Sequence, residues 1–181
     1  MSEILPVVYK AGNEDPTSEP FRLYRPSSTQ WEDGYARRHR ALLSAKNAQN
    51  RTGGNFVPMI KVLKHLRSKS RVDAVSFHLE CLLYSLPDTV FNGGPADYIP
   101  AVLRSIIARS ADVWYVSGCP TPCGDRNIFA EWPLLNWREF HRQIEVWAAT
   151  AQSASNAAIE QEAIHWWQTL LGQPFFPASI A

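Results

Sequence analysis

Apolar residues recur every three or four positions through most of the chain, which is the spacing of an amphipathic helix. This pattern predicts one helix capped by Asp33 and ended by Gly53, and a second that begins after Asn55. Further helices are predicted over 74–86 and 98–108, then from Pro133 onward with a break near 153–156, and finally up to Gly172. The pattern therefore predicts a mainly α fold.

The first 26 residues follow a different pattern. A β-branched run ending at Tyr9 predicts a strand, residues 21–26 predict a second extended piece, and 113–116 a third farther along. Because a lone strand leaves its edges unpaired, the first strand is expected to complete a sheet whose other strands lie outside the chain. We therefore predict a helical bundle over 27–181, preceded over 1–26 by one or two strands left from an α/β core.

Composition and charge narrow the possible functions. A net charge of +1 argues against binding nucleic acid along an extended surface. The odd set of three cysteines and the lack of a secretory leader favour the cytoplasm, and no apolar stretch approaches the about 20 residues that cross a bilayer. The glycine-rich, P-loop and G-x-S-x-G motifs of other common enzymes are absent.

A basic cluster precedes a hydroxyl residue in the middle of the chain. Its members are Lys61, Lys64, Arg67, Lys69 and Arg71, and Ser76 opens the helix that follows. Cations beside the start of a helix can hold a triphosphate. The same residues are also compatible with a solvated basic face.

The surrounding motifs resemble a known family. Residues 54–56 (GNF), 60–65 (IKVLKH) and 76–80 (SFHLE) are similar, in order and spacing, to the "GGN…LIRLLKHW…SSYHLE" helix pair of bacterial nucleotidyltransferases of the oligoadenylate synthase and cGAS/DncV-like kind. Trp31, residues 124–127 and residues 167–176 resemble further motifs in the same order. The resemblance covers nearly the whole chain and is to the carboxy-terminal helical half of these enzymes.

This resemblance implies specific roles. Lys64, with Lys61 beside it, would reach a nucleoside triphosphate, Ser76 would hydrogen-bond a phosphate oxygen, and Phe77 would stack on the base. The intact enzyme would join nucleoside triphosphates into an oligonucleotide or a cyclic nucleotide. A role in antiviral defence follows from the family alone.

The catalytic centre of that family is largely missing from the sequence. The reaction uses two Mg²⁺ ions held by three carboxylates, and the chain has neither the Gly-Ser turn nor the Asp-x-Asp pair. Glu3 resembles only the third carboxylate, so no metal site is expected in this chain. We therefore expect a part of an enzyme that is inactive alone, from a truncated, split or degenerate gene. In a split enzyme, a separate chain would supply the catalytic strands.

Two other interpretations remain open from the residues alone. The chain could be a stand-alone helical interaction module that holds a protein partner through a tryptophan-rich surface. Cys119 and Cys123 could belong to a zinc site with Cys81, His78 or His141, although reduced, partly buried thiols are the simpler interpretation.

Overall fold

Three short strands precede a set of helices. The computed structural model describes residues 7–9, 21–25, 30–34, 36–124 and 126–173, with backbone only for the first three ranges and Ala36. Strands β1 (Val7–Tyr9), β2 (Phe21–Arg25) and β3 (Gln30–Gly34) pair antiparallel in that order. The predicted boundary between residues 26 and 27 stays a prediction, and the β2–β3 hairpin lies across it.

Helices make up most of the described chain, which confirms the mainly α prediction. They are α1 (Ala36–Lys46), α2 (Gln49–Thr52), α3 (Phe56–Ser70), α4 (Ser76–Tyr84), α5 (Pro95–Ile107), α6 (Ala111–Ser117), α7 (Leu134–Asn156) and α8 (Glu160–Leu171). Short 3₁₀ turns follow α4, at Asp88–Phe91, and precede α7, at Ile128–Ala130.

The core lies between α5, α7 and α8 and continues under α3 and α4. Helix α7 has 23 residues and buries one side of its surface, through Trp137, Phe140, Ile144, Trp147, Ala148, Ala151 and Ala154. The buried indole nitrogens also find acceptors: Trp114 donates to the carbonyl of Ile106 and Trp137 to that of Ala111. Tryptophan can be buried at little polar cost when its N–H is paired in this way.

Several element predictions were wrong. Residues 113–116 are not extended but belong to α6, whose N-cap Ser110 accepts a hydrogen bond from the Val113 amide. Asp33 lies in β3 instead of capping a helix, so the described chain has a third N-terminal strand where one or two were predicted. Helix α7 continues through residues 153–156, because buried Ala151 and Ala154 extend its apolar side.

The prediction of a tryptophan-rich surface, which belonged to the interaction-module alternative, is also wrong. Five of the six tryptophans whose side chains are described are buried: Trp114, Trp132, Trp137, Trp147 and Trp167. The first four of these form a connected aromatic cluster with Phe129 and Phe140. Their contribution is therefore to the stability of the bundle.

Candidate nucleotide-binding site

The antiparallel pair α3 and α4 brings the predicted residues together. Lys64 on α3 lies opposite Glu80 on α4, with Nζ 2.6 Å from Oε1, and Arg67 one turn later lies opposite Ser76. The pair is held in place by α3 side chains that are almost fully buried, among them Met59, Leu63 and Leu66. Arg71, in the left-handed conformation with φ 55°, ends α3 and turns the chain back.

Glu80 is the most heavily engaged carboxylate of this site. Its second oxygen, Oε2, lies 3.2 Å from Nε2 of His39 on α1. Because a carboxylate only accepts, Nε2 of His39 is the donor in this contact. The hydrogen bond from His39 is the largest influence on the pKa of Glu80 and lowers it, burial acts in the opposite direction, and Lys64 adds to the lowering. Glu80 is thus an ionised anchor between α1 and α3.

Ser76 opens α4 at an end that no side chain of the described residues caps. The N-cap residue is Val75, which has no side-chain oxygen to offer, so within the described chain the first amides of α4 lack a side-chain acceptor. Arg67 donates to Ser76 Oγ (3.1 Å) and to the carbonyl of Ala74 (2.7 Å). A hydroxyl, a guanidinium and unsatisfied helix amides at one point favour an anion.

Phe77, next to Ser76, is only partly buried. It packs on the core from one side, and its ring lies 5.1 Å from the ring of His39 at an angle of 36°. The Phe77 ring therefore lies beside both Ser76 and the contact between Glu80 and His39.

The other cations of the predicted cluster have different environments. Lys61 is exposed, one turn before Lys64 on α3, and forms no hydrogen bond or ion pair with another described residue. Lys69 instead donates to the carbonyls of Thr169 and Leu170 at the end of α8, where a cation complements the helix dipole. Within the cluster, Lys64 and Arg67 therefore contact α4, whereas Lys69 contacts α8.

Lys46, which no signal in the sequence singled out, holds the far end of α1 against α4. It is 2% exposed, donates to the carbonyls of Tyr84 (2.8 Å) and Leu86 (2.6 Å), and pairs with Asp88 at 3.0 Å. Its ammonium also lies over three aromatic rings, at 5.2 to 5.7 Å. Burial is the main influence on the pKa of Lys46 and lowers it, against the effect of Asp88. Because His39 and Lys46 are seven residues apart, both lie on the face of α1 that meets α4.

The cysteines do not form a metal site within the described part of the chain. Cys119 and Cys81 are buried, and the Cys119 thiol approaches the backbone carbonyl of Cys81. Burial raises the pKa of Cys119 to about 11, which disfavours the thiolate that zinc requires. His78 stacks on Trp132 instead, and His141 contacts Glu145 and the carbonyl of Arg109.

The described residues also lack a carboxylate centre for Mg²⁺. No three His, Cys, Asp or Glu side chains in the described ranges are grouped to hold a metal ion. Glu3, the predicted third carboxylate, lies outside those ranges.

None of the described helices has the length and apolar character that crossing a membrane requires.

Comparison with known proteins relates this geometry to a family. Residues 43–148 match the model of the cGAS/DncV-like nucleotidyltransferase C-terminal helical domain. The chain is 31% identical over 133 residues to the cyclic UMP-AMP synthase of Rhodothermus marinus, an alignment that covers 70% of this chain and 43% of that enzyme.

Two solved structures are similar in fold. The structure of E. coli CdnC with ATP superimposes with a TM-score of 0.66 at 14% identity, covering 93% of this chain and 58% of CdnC. The structure of the R. marinus CdnE c-UMP-AMP synthase with Apcpp and Upnpp superimposes with a TM-score of 0.61 at 25% identity. The match covers 81% of this chain and 53% of the synthase. The chain thus spans about half the length of the relatives it matches.

The helix-pair motifs on α3 and α4 lie within the matched region, so the predicted family resemblance is confirmed. Since this region makes up more than half of the chain, the chain belongs to the family of cGAS/DncV-like nucleotidyltransferase C-terminal helical domains.

Proposed function

We propose that this domain forms the nucleotide-binding wall of a nucleotidyltransferase. In this proposal Lys64 and Lys61 bind the triphosphate, Ser76 and the first amides of α4 hold a phosphate oxygen, and Phe77 contacts the base. The proposal rests on one observation. Lys64, the start of α4 at Ser76 and the partly buried Phe77 lie together on one edge of the α3–α4 pair.

Electrostatics support a polyanionic ligand at this edge. Lys64 has a third of its side-chain surface exposed, so its ammonium can exchange Glu80 for a phosphate without leaving a closed core. Lys61 adds a second, exposed cation on the same helix. A helix N-terminus and nearby cations are the features that bind phosphate in many unrelated folds.

The chemistry of transfer requires groups outside this chain's described residues. We propose that a catalytic half, supplied by the same enzyme or by a separate chain, carries the carboxylates for two Mg²⁺ ions, and that the helical domain alone is inactive. When bound, these ions would activate the attacking hydroxyl and neutralise the phosphates. The residues of the present chain would bind and orient the nucleoside triphosphate.

Calorimetric titration tests the binding part of this proposal. ATP and UTP are suitable probes because the R. marinus relative was solved with analogues of both. We expect Lys64→Met to weaken binding of either nucleotide about tenfold, the size of a lost charge-assisted hydrogen bond. Arg142→Met, an exposed cation on α7, is the matched control and should leave binding unchanged. Equal affinity of the wild type and Lys64→Met would refute the role of Lys64.

Complementation tests the catalytic part. A catalytic half from a related enzyme is mixed with this chain, and consumption of ATP and UTP is followed with Mg²⁺ present. We expect turnover only when both proteins are present, and a loss of turnover with Lys64→Met. Turnover by this chain alone would contradict the proposal that it is inactive alone.

A further inference from the structure

Glu80 holds two cationic or donor groups at once, one on each oxygen. Lys64 binds Oε1 at 2.6 Å and His39 binds Oε2 at 3.2 Å, and the Glu80 side chain is only 21% exposed. If Lys64 turns to a phosphate, His39 is the partner that remains on this carboxylate. A largely buried carboxylate without any donor is strongly disfavoured.

We propose that His39 is a positioning residue of the nucleotide site, which keeps the Glu80 carboxylate satisfied and so releases Lys64 to the triphosphate. This inference rests on the proposed function. It assigns a role to α1, the helix that follows the N-terminal strands, although no nucleotide contact is ascribed to His39 itself.

The placement of His39 suits this role. Its ring packs against Phe77 at 5.1 Å, so its imidazole is fixed in orientation on the side of α4 that carries both Phe77 and Glu80. At the other end of α1, Lys46 donates to the carbonyls of Tyr84, the last residue of α4, and Leu86. Because this second attachment holds α1 on α4, the contact of His39 with Glu80 does not depend on Lys64.

A cycle of variants tests the dependence on Glu80, with tripolyphosphate and ATP as probes in calorimetry. We expect His39→Ala to lower the affinity for each probe about tenfold, which corresponds to the loss of one hydrogen bond to a charged group. His39→Gln, whose amide can donate from nearly the same place as Nε2, should restore most of the affinity. Glu80→Gln, which removes the charge that competes for Lys64, should tighten binding severalfold.

When Glu80→Gln is already present, adding His39→Ala should not change the affinity for either probe. An equal loss with and without Glu80 would overturn the proposal, since His39 would then act independently of the carboxylate. A loss of ATP binding with unchanged tripolyphosphate binding would also overturn it, because His39 would then act through Phe77 on the base. His165→Ala, an exposed histidine on α8, is the control for a general histidine effect.

A second measurement separates this inference from the proposed function. If the wild-type chain binds neither ATP nor tripolyphosphate, the proposed function fails, and the Glu80 carboxyl is then titrated by ¹³C NMR. His39→Ala should raise the pKa of Glu80, since the hydrogen bond from His39 is the largest influence on that pKa and lowers it. An unchanged pKa would show that His39 does not hold Glu80.

Discussion

The ammonium of Lys46 lies 3.0 Å from the carboxylate of Asp88, in a space closed by three aromatic rings. The pair joins the end of α1 to the 3₁₀ turn after α4, and Lys46 also binds two backbone carbonyls there. Asp88 has a second cation, Arg51, whose Nε lies 2.7 Å away on the exposed side. The two cations on one carboxylate therefore differ mainly in burial.

We expect Lys46→Met to lower the free energy of unfolding by about 2–4 kcal/mol, because it leaves two buried carbonyls without donors. Arg51→Met, which removes the exposed partner of the same carboxylate, should cost about 1 kcal/mol or less. Urea unfolding followed by circular dichroism measures both. Equal losses would show that burial does not distinguish the two cations.

The importance of Lys46 could not be predicted from the sequence. Its position at the end of a helix is typical of a lysine that complements the helix dipole in solvent. Its partners, Tyr84, Leu86 and Asp88, come from 38 to 42 positions later in the chain, and hydrophobic spacing carries no information about such contacts. The same reason hid the contact of His39 with Glu80, since the two residues are 41 positions apart in the chain.

Other parts of the structure followed directly from local signals. Apolar spacing predicted α3 and α4, and Ser76 and Glu80, four positions apart on α4, both contact α3. Helix α6 was predicted as extended because its Val, Trp and Tyr residues favour strands. The capping signal of Ser110 would have identified it as a helix.

His78 provides a test of stability against pH. It is 4% exposed, stacks on Trp132, and its Nδ1 has no hydrogen-bond partner among the described residues. Burial is the main influence on its pKa and lowers it from 6.5, while Glu131 acts in the opposite direction. Below pH 6.5 the unfolded chain therefore binds a proton that the folded protein excludes. As the pH is lowered, this residue should decrease the free energy of unfolding by up to about 1.4 kcal/mol per pH unit.

The substitution His78→Phe keeps a ring against Trp132 and removes the unpaired nitrogen. We expect it to raise the free energy of unfolding by about 1 kcal/mol at pH 7 and to reduce the loss of stability below pH 6.5. Urea unfolding at several pH values between 5 and 8 measures this. An unchanged slope in His78→Phe would mean that other groups cause the acid dependence, and His165→Phe on the exposed face of α8 serves as the control.

Thiol reactivity should separate the three cysteines. Cys119 and Cys81 are buried, and the pKa of about 11 keeps Cys119 protonated, whereas Cys123 is partly exposed. Iodoacetamide at pH 8 should therefore modify Cys123 first in the native protein and all three in urea, as read by mass spectrometry. The rate at Cys123 should not change when Zn²⁺ is added. Protection by Zn²⁺ would instead support a metal site.

Ser76 allows binding and folding to be changed in opposite directions. An aspartate at the first position of α4 would face the helix N-terminus and Arg67, so Ser76→Asp should raise the free energy of unfolding by about 0.3–1 kcal/mol. The same negative charge would occupy the place proposed for a phosphate oxygen, and ATP binding should fall at least about tenfold.

The neutral variant Ser76→Ala is the matched comparison for that change. It removes one hydroxyl, so we expect a loss of affinity of about fivefold and little change in stability. Thermal unfolding and calorimetry on the same samples give both quantities. If the Ser76→Asp protein is more stable and no longer binds ATP, the loss of binding cannot be due to unfolding. If it binds ATP as well as the wild type, the start of α4 is not the phosphate site.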